Sequence, residues 1–219
     1  MIELENISKE YTRGNRAFMA LRDISLSIRK GDYCTVVGSS GAGKSTLLYI
    51  VGGLIHPDSG HVLYNGSDIY NIKPRDQNIY RKMHLGFVFQ QFYLMPYLTV
   101  YDNIKLTCHN SAQIENIDYY LEKFSLGGMK SKYPSELSVG EKQRTAFIRA
   151  IITSPELLLA DEPTGNLDPG NSEMLLNLID DYHKNNGTVI LVTHDPSISK
   201  FSRINIILEK GKIHRIDTA

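Results

Sequence analysis

Gly38-Ser39-Ser40-Gly41-Ala42-Gly43-Lys44-Ser45-Thr46 follows directly on the apolar run Tyr33-Cys34-Thr35-Val36-Val37. The spacing of Gly38, Gly43, Lys44 and Ser45 matches G-x-x-x-x-G-K-S/T, a loop whose backbone N–H groups can approach phosphate oxygens. Lys44 supplies charge and Ser45 offers a hydroxyl to Mg²⁺. A helix over 44–53 would direct its positive end at the phosphates. Strand, glycine-rich loop and helix in that order point to an α/β chain that binds a nucleoside triphosphate.

Further on, Glu156-Leu157-Leu158-Leu159-Ala160 runs apolar into Asp161-Glu162-Pro163. A short apolar run bounded by prolines reads as a buried strand with both carboxylates at its carboxyl end. In an open parallel sheet that end faces the ligand crevice. Asp161 is a candidate Mg²⁺ ligand, because the ion prefers oxygen donors and keeps several waters. Glu162, one residue on, is placed to orient and deprotonate an attacking water.

Between these signals, Tyr133-Pro134-Ser135-Glu136-Leu137-Ser138-Val139-Gly140-Glu141-Lys142-Gln143-Arg144 leads into a helical stretch ending near Thr153. Ser138 and Glu141 have capping-box spacing. Gly140 is a poor helix former in a first turn, and close approach of a ligand to bare backbone would explain it. A helix start with a serine hydroxyl and a glycine N–H is a candidate anion site.

Taken in order, Gly38 to Thr46, Gln90, Leu137 to Arg144, Leu157 to Glu162, Asn166-Leu167-Asp168 and Val192-Thr193-His194-Asp195 resemble the conserved elements of ATP-binding cassette (ABC) ATPases. The run Ala160 to Asp168 is similar to that of macrolide-exporter, lipoprotein-releasing and cell-division ATPases, as are Gly52-Gly53-Leu54 and Tyr133-Pro134-Ser135-Glu136-Leu137, which lean toward the lipoprotein-releasing branch. The resemblance implies a P-loop NTPase (RecA-like) parallel core with an antiparallel β subdomain and an inserted helical subdomain. The whole of 1–219 would be one nucleotide-binding domain, with 1–90 and 137–219 as core and 91–136 as the helical part.

It also implies roles. Tyr11, placed shortly after the first strand, would stack on adenine, although a plain strand-end tyrosine is the alternative. Ser39, Ser40, Gly41, Ala42 and Thr46 would join Gly38, Gly43, Lys44 and Ser45 around ATP. Gln90 would touch Mg²⁺ or the water, and His194 would contact the γ-phosphate and hold Glu162. Ser138, Gly140 and Glu141 would close over the nucleotide of a second copy, and Asp168 would reach across that head-to-tail homodimer. The family usually carries Leu-Ser-Gly-Gly-Gln where this chain has Leu137-Ser138-Val139-Gly140-Glu141, so Val139 would add bulk near the opposing nucleotide.

The activity implied is hydrolysis of ATP to ADP and phosphate, powering export or the movement of lipid, lipoprotein or peptide by a separate membrane subunit. The alternative is a cell-division type of ATPase that pulls on a membrane partner without transport. The aromatic stretch Gln91 to Leu98 is either the docking site of that partner or the core of the helical subdomain. The chain would sit in the cytoplasm, peripheral on the inner face of the cell membrane.

Composition agrees with these expectations. The 24 basic and 24 acidic residues cancel, so no field draws the chain to nucleic acid. Cys34 and Cys108 offer neither a disulfide framework nor metal spacing. No apolar run reaches the roughly 20 residues of a membrane span, and the first residues lack a basic-then-apolar signal. Strands are expected at 2–7, 24–29, 61–64 before the Asn65-Gly66 turn, 85–89 and 188–193, with a closing hairpin over 204–216 and an amphipathic helix from Ile114 to Phe124.

Overall fold

The computed structural model describes residues 2–14 and 16–218, so residues 1, 15 and 219 of the expected single domain lie outside the described residues. In chain order the elements are β1 (Ile2–Arg13), β2 (Arg16–Ile28), β3 (Tyr33–Val37), α1 (Lys44–Val51), β4 (Ser59–Tyr64), β5 (Ser67–Asp68), α2 (Pro74–His84), β6 (Leu85–Val88), α3 (Val100–Lys105), α4 (Ser111–Glu115), α5 (Ile117–Lys123), α6 (Val139–Ile151), β7 (Leu157–Asp161), α7 (Pro169–Lys184), β8 (Thr188–Thr193), β9 (Ile204–Glu209) and β10 (Lys212–Thr218). One sheet has the order β10-β9-β3-β8-β7-β6, parallel except for the β9/β10 hairpin. The other is antiparallel, β2-β1-β4-β5.

Both faces of the parallel sheet are covered, which is why β7 and β8 are buried along their whole length. Cys34, Val36, Leu157, Leu159, Ile190 and Val192 face a core shared with α1 and the antiparallel sheet. Tyr33, Leu158, Ala160, Val189 and Leu191 face the opposite core with α6 and α7. The alternation carries forward by two residues from Leu157 and Leu159 to Asp161, which therefore emerges on the α1 side of the sheet.

Several elements depart from their sequence expectations for local reasons. The first two strands are roughly twice as long as 2–7 and 24–29 and form one hairpin. Register shifts between Leu4 and Ile7, Ile7 and Lys9, and Lys9 and Glu10 break the two-residue alternation by which a strand is read. Tyr11 therefore lies inside β1 and not after it. Helix α1 stops at Val51, two residues short of Gly53. The helix expected from Ile114 to Phe124 is two pieces divided at Asn116, the first beginning at Ser111 because the Asn110 side chain accepts from the Gln113 N–H. Helix α2 left little pattern in the sequence, since Gln77 is its one buried residue.

Residues 92–136 carry no strand. Ile117, Leu121 and Phe124 pack toward Phe147 of α6, with the Phe124 and Phe147 rings 5.7 Å apart. None of Gln91 to Leu98 is buried, and Tyr97 is 72% exposed. That stretch is surface, so the subdomain-core alternative fails for it. Arg149 fixes it from below, donating to the carbonyls of Phe92 at 2.8 Å and Tyr93 at 2.7 Å.

Candidate active site

Four strand ends meet at one edge of the parallel sheet. β3 delivers the loop Gly38 to Gly43, β7 ends on Asp161 and Glu162, β8 on Thr193 and His194, and β6 runs toward Gln90. Because β3, β8, β7 and β6 are neighbours in register, residues far apart in the chain come together there. A cavity of about 360 Å³ results, lined by Tyr11, Ser40, Gly41, Gly43, Lys44, Ser45, Thr46, Gln90, Glu162 and His194, with Phe18 and Ala20.

The loop geometry is decided at Gly43, whose φ of 104° lies in the left-handed region. A side chain there would also stand 2.3 Å from the carbonyl oxygen of Ala20. No side chain caps the N-terminus of α1, so its first-turn N–H groups are left to a ligand. Lys44 is 6% exposed, and its Nζ donates to the carbonyls of Gly38 at 2.8 Å and Ser39 at 3.1 Å. The same ammonium stands 3.5 Å from Glu162 Oε1. Ala42 is buried, and its carbonyl accepts from the Gly211 N–H at 3.0 Å, which anchors the loop to the β9/β10 turn.

Glu162 leaves β7 with φ 43°, a strained value for a residue with a side chain. That turn carries its carboxylate across to β8, where Oε2 accepts from His194 Nδ1 at 2.8 Å and from the His194 N–H at 3.2 Å. The pairing between Glu162 and His194, expected from resemblance, is thus a direct contact.

Asp161 is 5% exposed and both of its oxygens are engaged. Ser45 Oγ donates to Oδ1 at 2.8 Å and the Tyr49 hydroxyl to Oδ2 at 2.6 Å. A hydroxyl and a carboxylate beside a phosphate loop form the hard oxygen donor set that Mg²⁺ takes, with the remaining positions filled by water and phosphate. These residues therefore fit the ion. Among the described residues no group of three or more His, Cys, Asp or Glu is arranged to hold a metal. Gln90 lies on the cavity wall, its carbonyl accepting from Asn166 Nδ2 at 3.0 Å.

Ser138, Gly140, Glu141 and Asp168 do not line this cavity. The capping box forms as expected: Glu141 Oε2 accepts from the Ser138 N–H and hydroxyl, each at 2.7 Å, while Ser138 Oγ accepts from the Glu141 N–H at 3.3 Å. The Ser138 hydroxyl holds the Glu141 carboxyl below its ordinary pKa. Gly140 also has a packing reason inside the chain: a Cβ there would stand 2.3 Å from Asn171 Oδ1. Val139, in contrast, is 46% exposed. Asp168 caps α7, accepting from the Asn171 N–H at 3.1 Å and from its side-chain amide at 2.6 Å. Those bonds depress its pKa, the amide contributing most.

Sequence reasoning missed Phe18, Tyr49 and Gln143. Phe18 pairs with Tyr11 across the hairpin, with ring centroids 5.7 Å apart, and is visible only once the β1/β2 register is known. Tyr49 stands four residues after Ser45, so helical spacing alone could have placed both on one face. Gln143 Nε2 donates to the Pro163 carbonyl at 2.9 Å and ties α6 to the segment after Glu162, a contact with no local signature.

Residues 21–165 match the family described as ABC transporter. The chain is 38% identical to an ABC transporter ATP-binding protein, YknY, of Bacillus subtilis over 97% of its own length and 95% of that protein. It is 36% identical to the lipoprotein-releasing system ATP-binding protein LolD of Buchnera aphidicola over 100% and 98% of the two chains. It is 38% identical to a macrolide export ATP-binding/permease protein, MacB, of Syntrophobacter fumaroxidans, but spans 31% of that longer protein. A solved ATP-binding cassette, described as a dimer in a post-hydrolysis state bound to ADP and Pi, superposes with a TM-score of 0.92 at 31% identity, covering 100% of this chain and 98% of the other. The cell-division alternative draws no support from these relatives.

Proposed function

This chain belongs to the ABC transporter family as an ATP-binding component of the macrolide-exporter and lipoprotein-releasing type, and from that premise we propose that it hydrolyses ATP to ADP and phosphate to drive a separate membrane subunit. The observation that carries this reading is the meeting of Lys44, Glu162 and His194 at the mouth of one cavity beside the phosphate loop.

Lys44 and the N–H groups of the loop and of the first turn of α1 hold the β- and γ-phosphates. Mg²⁺ bound at Ser45 and Asp161 would neutralise charge on the phosphate oxygens. Glu162 orients a water in line with the γ-phosphorus and takes its proton, and the bond to the bridging oxygen breaks to leave ADP. His194 keeps the Glu162 carboxylate turned toward that water. Tyr11, flanked by Phe18, offers the adenine a face of the hairpin.

In this reading Ser138, Gly140, Glu141 and Asp168 act on the nucleotide of a second copy in a head-to-tail pair, which the dimeric state of the solved cassette supports. The exposed stretch Gln90 to Leu98, borne on a helical subdomain of about 91–136, would meet the membrane subunit on the cytoplasmic face. No helix among the described residues is long and apolar enough to cross a membrane.

The test is Glu162→Gln, which keeps the size and shape of the side chain but replaces the carboxylate base with a carboxamide. Hydrolysis should fall by about 10² to 10⁴-fold while ATP binding by calorimetry is retained. Turnover within a few fold of the parent would remove Glu162 from this role.

A further inference from the structure

Ser45 and Tyr49 lie four residues apart on α1, so their side chains project from the same face of the helix. That face meets the end of β7, where the two hydroxyls divide one carboxylate between them: Ser45 takes Asp161 Oδ1 at 2.8 Å and Tyr49 takes Oδ2 at 2.6 Å. The Tyr49 ring is itself supported, its centroid 6.2 Å from that of Phe89, the residue before Gln90.

A carboxylate at a strand end can rotate about its last side-chain bond, and a metal ligand is useful only when that rotation is stopped. The Ser45 bond holds only Oδ1, and a second donor on Oδ2 is what fixes the plane of the carboxylate. We propose that Tyr49 is a positioning residue for Asp161, holding Oδ2 so that Oδ1 and the Ser45 hydroxyl face a divalent cation together. The proposal rests on the reading of Asp161 as a metal ligand. Tyr49 touches neither nucleotide nor ion and acts through the carboxylate.

Tyr49→Phe keeps the ring against Phe89 and removes the donor. With Glu162→Gln in every sample to stop turnover, Mn²⁺ binding to the ATP-loaded protein, followed by electron paramagnetic resonance, should weaken by about 10-fold in Tyr49→Phe. ATP affinity in EDTA should stay within about twofold, since phosphate contacts come from Lys44 and the loop. Phe89→Leu, which keeps the phenol and loosens its support, should weaken Mn²⁺ binding in the same direction by about threefold. Mn²⁺ affinity unchanged in both variants, with Asp161→Asn still weakening it, would overturn the role of Tyr49 alone. Unchanged affinity in Asp161→Asn as well would overturn the metal-ligand reading and this proposal with it.

Discussion

At the residue scale, Lys44 has three oxygen partners inside the chain, the carbonyls of Gly38 and Ser39 and the carboxylate of Glu162. It therefore closes the loop as well as meeting phosphate. Lys44→Ala removes both contributions and leaves Glu162, whose side chain is 13% exposed, without its nearest cation. Loss of the ammonium's charge-assisted contact with phosphate costs about 2 kcal/mol or more. ATP affinity by calorimetry should fall by more than about 30-fold. An unchanged affinity would contradict the phosphate-loop assignment.

At the element scale, the start of α6 is set by its seat on α7 as much as by its own cap. Asn171 accepts from Arg144 Nη1 at 3.0 Å and donates to Asp168, so its side chain is pinned from both sides. Gly140 packs against that pinned amide, leaving no room for a methyl group. Gly140→Ala should thus destabilise the chain by about 1–3 kcal/mol as an overpacked contact. In a chain of this size that lowers Tm by about 2–10 °C, read by calorimetry. A Tm within 1 °C of the parent would mean that Asn171 yields easily and that the glycine serves another purpose.

For the whole molecule, the separation of Ser138 from the phosphate cavity is informative. One copy brings the loop, Asp161, Glu162 and His194 to one place but does not bring the α6 start there. A second copy related by a twofold axis would supply that helix start to each nucleotide. With Glu162→Gln as background, ATP should convert monomer to dimer in light scattering, and Ser138→Ala should weaken that conversion by about 10-fold while nucleotide binding to the monomer persists. Dimerisation unaffected by Ser138→Ala would place the α6 start outside the interface.

The phosphate loop, the acidic end of β7 and the Ser138 capping box were legible in the chain itself, because each depends on residues within a few positions of one another. Local steric and hydrogen-bonding rules act over that range, and they fix strand, turn and cap alike. The length of β1 and β2 was not legible, since register shifts erased the alternation; nor was α2, since almost nothing on it is buried. Tertiary structure alone decided that Asp161 faces α1, that Tyr49 shares its carboxylate with Ser45, that Gly140 makes room for Asn171, and that the stretch after Gln90 lies exposed. These facts depend on which strand lies beside which and how helices seat on the sheet, contacts such as that of Ser45 with Asp161, 116 positions apart, that no local pattern can encode.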